Sequence, residues 1–241
     1  MLRNLINGLT DLVYPKVCLA CREKIAGLSV DGLICAQCWS KIKKTAPPFC
    51  RCCGRHLEKK SINKNICSVC IKSRLHFDRA FSPCGYEGVM QKLIREFKYK
   101  GKKHLALPLS KLMSQFIREY DLPLEIVDYI LPVPLHKTRL REREFNQAES
   151  LAKNICLEFN KNILTDTLQR SRNTRTQTEL ETDQRLANVR ESFSVARIGI
   201  VRGKNILLID DVLTTGATCS EAARALKNSG AGIVFALTLA N

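Results

Sequence analysis

Nowhere in this 241-residue chain do apolar residues run on for anything near eighteen positions, so no helix able to span a hydrocarbon core is expected. The opening segment MLRNLINGLTDLVYP is short and amphipathic, and it lacks the long apolar stretch and small-residue cleavage site of a signal peptide. A cytoplasmic location without membrane insertion is therefore expected. Two phosphate-binding fingerprints are missing as well. No GxxxxGK[ST] occurs, so no lysine is placed for a β/γ-phosphate as in a P-loop nucleoside triphosphatase. The glycine fingerprint of a Rossmann dinucleotide site is absent too. Acids are scarce in one part of the chain: residues 1–118 carry 23 Lys/Arg against 7 Asp/Glu, which is the whole formal net charge of +16. The remainder is neutral. With 45% hydrophobic residues the chain has enough apolar material for a core.

What is present centres on residues 204–232, KNILLIDDVLTTGATCSEAARALKNSGAG. Residues 206–209 are continuously apolar, as in a strand covered on both faces in a parallel sheet. Asp210 and Asp211 end that run. Thr214, Thr215, Gly216, Ala217 and Thr218 then lead into a helix, with Thr218 expected as N-cap and Glu221 completing a capping box. Gly230 is expected to stop the helix in a left-handed C-cap position. Strand, acids, Thr/Gly turn and helix start together make an anion site at the carboxyl edge of a sheet. Two carboxylates beside an anion repel it unless they accept hydrogen bonds from sugar hydroxyls or share a divalent cation with it. A ribose phosphate with Mg²⁺ meets both conditions.

The twelve cysteines are not expected to form disulfides in a reducing compartment. Eight stand in four CxxC pairs: Cys18 and Cys21, Cys35 and Cys38, Cys50 and Cys53, Cys67 and Cys70. Each pair offers two thiolates, so four pairs make two closed tetrahedral Zn²⁺ sites. Sequential pairing is expected, with Cys18, Cys21, Cys35 and Cys38 on one ion and Cys50, Cys53, Cys67 and Cys70 on the other; interleaved pairing is the alternative. Few large apolar residues surround them, so the metal must supply folding energy. Cys52 and His56 read as spectators, either of which could replace a ligand in a crowded knuckle. Cys84, Cys156 and Cys219 read as packed side chains, although Cys219 sits at a helix start where a thiol pKa can fall.

From Phe77 onward the composition changes. An edge strand, a helix over about 89–97 with Val89, Leu93, Ile94 and Phe97 inward, a basic turn over 97–106 and a second amphipathic helix follow in order. Residues 126–131 read as a buried strand ended by prolines. A third helix is expected over 147–159. Such alternation gives a doubly wound α/β domain, residues 77–241, behind a zinc-ribbon domain, residues 1–76. Ligands in such sheets lie at the carboxyl ends of the strands, so two loops should face the Thr/Gly turn. One covers residues 132–147 and carries Lys137, Arg139, Arg141 and Arg143, suited to a pyrophosphate. The other, residues 169–193, reads as a cover that orders over substrate.

Residues 206–218, ILLIDDVLTTGAT, resemble the thirteen-residue signature of type I phosphoribosyltransferases, which bind phosphoribosyl pyrophosphate (PRPP). The resemblance implies that Asp210 and Asp211 hold the ribose hydroxyls and that residues 214–218 cradle the 5′-phosphate. The order of motifs resembles, more narrowly, the ComF-like competence and gluconate-utilisation proteins: two zinc ribbons, KYKG over 98–101, PVPLH…FNQ over 132–147, then Arg170, Thr174, Gln177, Arg185 and Asn188, then the PRPP signature. That group usually has Gly where this chain has Glu144, a position at which positive φ is expected.

The excess cations suggest a second partner. Lys41, Lys43, Lys44, Arg51, Arg55, Lys59, Lys60 and Lys64 surround the ribbons and suit a phosphodiester backbone; Phe49 or Trp39 could stack on a base or simply plug a ribbon. Three classes of function compete. The first is a PRPP-dependent transferase with Mg²⁺ and an unassigned acceptor, in which Asp210 and Asp211 face the ribose and Arg139, in the loop over 132–147, helps to stabilise the leaving group. The second is a single-stranded-DNA-binding competence factor, working with DNA-processing proteins, that keeps the fold as sensor or scaffold. The third is a structural zinc scaffold.

Overall fold

The computed structural model describes residues 16–58, 65–99, 101–172 and 191–241. Its elements, in chain order, are β1 (Ser29–Val30), β2 (Ile34–Cys35), α1 (Ala36–Ser40), α2 (Ser68–Lys72), β3 (Arg79–Phe81), α3 (Gly88–Tyr99), α4 (Ala106–Glu119), β4 (Tyr129–Pro132), α5 (Lys137–Arg143), α6 (Gln147–Phe159), β5 (Asn162–Ile163), β6 (Leu168–Arg170), β7 (Phe193–Val195), α7 (Ile198–Val201), β8 (Ile206–Val212), α8 (Ala217–Asn228) and β9 (Val234–Ala240). Five strands form one parallel sheet in the order β3-β9-β8-β4-β5. A parallel sheet needs cover on both faces, and β8 shows how the sequence provides it. Leu207 and Ile209 join one core with α3, α4 and α6, through Phe97, Leu109 and Leu151 among others. Ile206 and Leu208, pointing the other way, join a second core with Ala222, Ala223 and Leu226 of α8. Side-chain alternation along a strand produces this division. Each such residue contributes roughly 1.5–3 kcal/mol by leaving water.

The two cysteine quartets divide in the same way. Cys18 and Cys38 belong to the α3/α4 core, whereas Cys50, Cys53, Cys67 and Cys70 belong to the α8 core. Packing therefore runs straight across the boundary expected at residues 76 and 77. Backbone bonds cross it too, with the Ala80 N–H donating to the Cys52 carbonyl at 2.7 Å.

Several local expectations change. β4 begins at Tyr129, because residues 124–126 form a 3-10 turn that leaves Ile126 exposed. Pro132 lies inside this strand, in register with Ile209. It is tolerated because the Val133 N–H donates to Ile209 while the neighbouring β5 pairs only as far as Ile130, so no partner needs the missing N–H. Residues 137–143 are helical, capped by His136 and ended by Glu144 at φ 66°. In α3 it is Met90 that is fully buried, in place of Val89, and the helix continues through Lys98 and Tyr99 instead of turning at Phe97. Among the described residues no helix is long and apolar enough to cross a membrane.

Candidate functional site

The acid pair leaves the sheet at its carboxyl edge. Asp210 is still paired in register with Thr238 of β9, and its Oδ1 accepts the Asp211 N–H at 2.8 Å. The Cys219 thiol donates to Asp210 Oδ2 at 3.8 Å. Burial, and then the charge of Asp211, push the Asp210 carboxyl up to about 7. Cys219 is a packed side chain, since burial and the two acids raise its thiol well above the usual range. The last turn of α3 brings Lys98 Nζ to 2.7 Å from Asp211 Oδ1. Burial opposes the Lys98 charge, but Asp211 and Asp210 outweigh it and raise its pKa.

Lys98, Asp210 and Asp211 line a cavity of about 410 Å³ together with Arg139, Arg143, Arg170, Tyr99, Thr214 and Thr218. Arg139 and Arg143 come from α5, and Arg170 ends β6. Arg143 lies over the Tyr99 ring at 5.3 Å, and Arg170 over Phe193 at the same distance. Burial lowers the Arg170 pKa to about 10 with help from Arg139, and burial lowers Arg139 too; Arg170 stays charged at neutral pH. Lys137 is exposed at the start of α5 and does not line this cavity.

The turn into α8 departs from the capping box. Gly216, at φ 77°, is the N-cap, and the helix starts at Ala217, so Thr218 is already inside it. The Thr215 hydroxyl accepts the Ala217 N–H at 3.4 Å. Glu221 instead binds Arg224 and accepts the Glu191 N–H at 2.9 Å. At the far end Gly230 adopts φ 87°, with Ala231 N–H to Leu226 and Gly230 N–H to Lys227, the paired bonds of a Schellman cap. Thr214 and Thr218 thus face the cavity, while Thr215, Gly216 and Ala217 shape the turn beside it. Lys98, which the sequence pattern assigns to a basic turn, stands instead on the acid pair. Its only signal is the KYKG run. Thr174, Gln177, Arg185, Asn188 and Lys100 lie outside the described residues.

The cysteines form two groups of four whose sulfurs all lie within 4.8 Å of one another, paired sequentially. Thiolates at about 2.3 Å from one tetrahedral Zn²⁺ stand about 3.8 Å apart, close to the 4.0 Å between Cys21 and Cys35 and the 3.6 Å between Cys53 and Cys67. Backbone N–H groups of Cys35, Cys38 and Cys67 donate to Cys18, Cys35 and Cys50 sulfurs at 3.4 Å, which offsets thiolate charge as in a metal knuckle. Cys52 is outside both quartets, and His56 Nδ1 meets the Ala46 carbonyl instead. The donor sets fit structural zinc.

Comparison with known proteins agrees with both halves. Residues 9–71 match the family model described as a double zinc ribbon domain, and residues 146–241 match the phosphoribosyl transferase domain. The DNA utilization protein YhgH of Salmonella typhi is 30% identical over 92% of this chain and 96% of its own length. The chain belongs to the ComF competence family. Other relatives of this ComF-family chain are competence protein F of Haemophilus influenzae, 28% identical over 88% of this chain and 91% of its own, and competence protein ComFC of Bacillus subtilis, 29% identical over 94% and 95%. A solved allosteric regulatory enzyme of purine biosynthesis is similar at 20% identity and a TM-score of 0.40; the alignment covers 59% of this chain and 29% of that one.

A resident Mg²⁺ does not fit the acid pair of the ComF-family chain. Asp211 is held by Lys98, and Asp210 already accepts two donors. An ion that arrives on a diphosphate does not depend on the pair, since Mg²⁺ takes phosphate oxygens and waters as its ligands. Of the ribbon cations, Lys43 pairs with Glu87 at 2.9 Å and Lys44 donates to Gln115 at 3.2 Å. Lys41 and Arg51 are exposed, and Lys59, Lys60 and Lys64 lie outside the described residues. Phe49 is a plug, edge-on to Tyr120 at 4.9 Å and Phe116 at 5.9 Å. Trp39 packs against the α3/α4 core.

Proposed function

We propose that the cavity at the end of β8 binds PRPP, or a closely related ribose phosphate, with Mg²⁺ carried on its diphosphate. One observation carries the reading: a pair of carboxylates and a cluster of arginines line the same cavity as the start of α8. Asp210 and Asp211 would accept the ribose hydroxyls, and Thr214, Thr215, Gly216, Ala217 and Thr218 would supply hydroxyls and N–H groups to the 5′-phosphate. Arg139, with Arg143 and Arg170, would hold the diphosphate, and Lys137 would add charge at the rim. When bound, Mg²⁺ neutralises diphosphate oxygens. The reaction class served is displacement at the anomeric carbon: a nitrogen nucleophile forms the C–N bond, the C–O bond breaks, and its electron pair leaves on the diphosphate. Stabilising that leaving charge by preorganised cations is the largest contribution this site offers. Calorimetric titration with PRPP and Mg²⁺ tests the reading. Asp210→Asn/Asp211→Asn should abolish the heat, and unchanged binding removes the assignment.

A role in handling DNA is the second reading, supported by the names of the relatives and by the concentration of positive charge in residues 1–118. Single-stranded DNA would be held through its backbone by exposed ribbon cations in the cytoplasm, with DNA-processing proteins as further partners.

A further inference from the structure

We propose that Arg55, on the second zinc ribbon, is a positioning residue for the turn at Thr214, so that the second cysteine quartet sets the geometry of the anion site. The inference rests on the reading of that turn as a phosphate loop. Arg55 Nη2 donates to the Thr214 carbonyl at 3.3 Å. Its backbone belongs to the knuckle itself, because the Arg55 carbonyl accepts the Cys50 N–H at 2.7 Å and the adjacent Gly54 N–H donates to Cys50 at 2.9 Å. A trans peptide has its C=O and N–H on opposite sides. Tying the Thr214 carbonyl toward the ribbon therefore aims the Thr215 N–H away from it.

One further contact fixes the knuckle on the sheet, and two more join the chain after the second quartet to the turn. Gly54, at φ 70°, lies so close to the Ala80 carbonyl that a Cβ there would stand 2.4 Å from its oxygen, which locks the knuckle onto β3. Gly216 lies under Leu75 and Phe77, where an added Cβ would meet them at 3.4 and 3.5 Å. His76, six residues beyond Cys70, has its N–H and Nδ1 each 3.0 Å from Ser220 Oγ, and the Ser220 N–H donates to the Gly216 carbonyl at 2.8 Å. Chain leaving the second quartet thus covers the turn from one side while Arg55 pulls on it from another. The first quartet packs in the opposite core.

Amide hydrogen exchange over residues 213–219 of the zinc-loaded full chain reads this directly. Arg55→Met should speed exchange there about tenfold, the worth of one hydrogen bond to a charged donor. Arg55→Lys should restore most of the protection, and both variants should retain the zinc content of the parent. Cys67→Ser should speed the same segment, whereas Cys18→Ser should leave it unchanged. Affinity for ribose 5-phosphate should fall by about the same factor in Arg55→Met. Unchanged exchange in Arg55→Met overturns the proposal, as does a speeding that spreads through the whole chain and is not rescued by lysine. A parent chain that shows the expected exchange but binds no ribose 5-phosphate removes the PRPP reading and leaves the mechanical link standing.

Discussion

Lys98 Nζ and Asp211 Oδ1 are 2.7 Å apart, with the two side chains only 17% and 11% exposed. One acid of the pair is thereby neutralised from within the protein. The other, Asp210, is left as the group that burial drives toward its neutral form. An acid pair in which one carboxylate is compensated and the other is protonated near neutrality does not repel an incoming polyphosphate as two bare carboxylates would.

Removing the lysine should therefore be costly. Lys98→Met strands Asp211 without its cation, and breaking one side of a buried pair costs roughly 3 kcal/mol. Adding Asp211→Asn in the same chain should recover part of the loss, because the uncompensated charge is then gone. Urea unfolding of the two single variants and the double at neutral pH measures the coupling. A Lys98→Met chain as stable as the parent would show that the pair is screened by water.

The elevated Asp210 predicts a pH dependence with a definite sign. Its folded pKa of about 7 lies above the ordinary 3.8, so between those values the folded state binds more protons than the unfolded one. Stability from this group is then lost as pH rises through that window. Lys98, whose pKa is raised, contributes fully below its ordinary 10.5 and does not mask the effect. Asp210→Asn should match the parent near pH 4 and exceed it by a few kcal/mol at pH 8, on the order set by the shift. Equal stabilities at pH 8 would mean that Asp210 is ionised there at no cost.

Much of this arrangement is legible in the amino-acid sequence, and what is not has physical causes. The run over 206–209 is apolar at every position, which only a doubly covered strand requires, so the acids that end it stand out. The spacing of the cysteines likewise leaves few alternatives to tetrahedral metal. By contrast, α5 contains no buried residue and so no apolar period to detect. The misplaced cap at Thr218 reflects Gly216, whose φ of 77° starts the helix two residues early and frees Glu221 for Arg224. Lys98 is hidden because its partner is distant in sequence and tertiary packing alone joins them.

Metal content should be two zinc ions per chain by elemental analysis, since both quartets are assembled. Cys35→Ser should leave one. Sequence spacing alone implies that only a ribbon would loosen, but Cys18 and Cys38 share a core with Phe97 and Leu109. Exchange protection in α3 and α4 should fall along with the ion, because binding free energy of a structural metal is folding free energy. Retention of two ions in Cys35→Ser would refute the sequential assignment.

DNA binding, if direct, must obey the physics of counterion release. Lys24, Lys41 and Arg51 are exposed on the ribbons, whereas Lys43 and Lys44 already meet Glu87 and Gln115. Each phosphate neutralised on a single strand adds about 0.7 to the slope of log affinity against log salt. Changing Lys24, Lys41 and Arg51 to Gln should therefore flatten that slope by about 2 and weaken unrelated sequences alike, since backbone contacts carry no base information. Zinc content should be unaffected, which separates lost charge from lost fold. Asp210→Asn/Asp211→Asn should bind DNA as the parent does, because those acids lie in the cavity and meet Lys98 and Cys219. Fluorescence anisotropy with labelled single strands over a salt series decides the matter. An affinity that does not change with salt, or a triple variant with the slope of the parent, would take DNA away from the ribbons and leave the cavity at β8 as the centre of function.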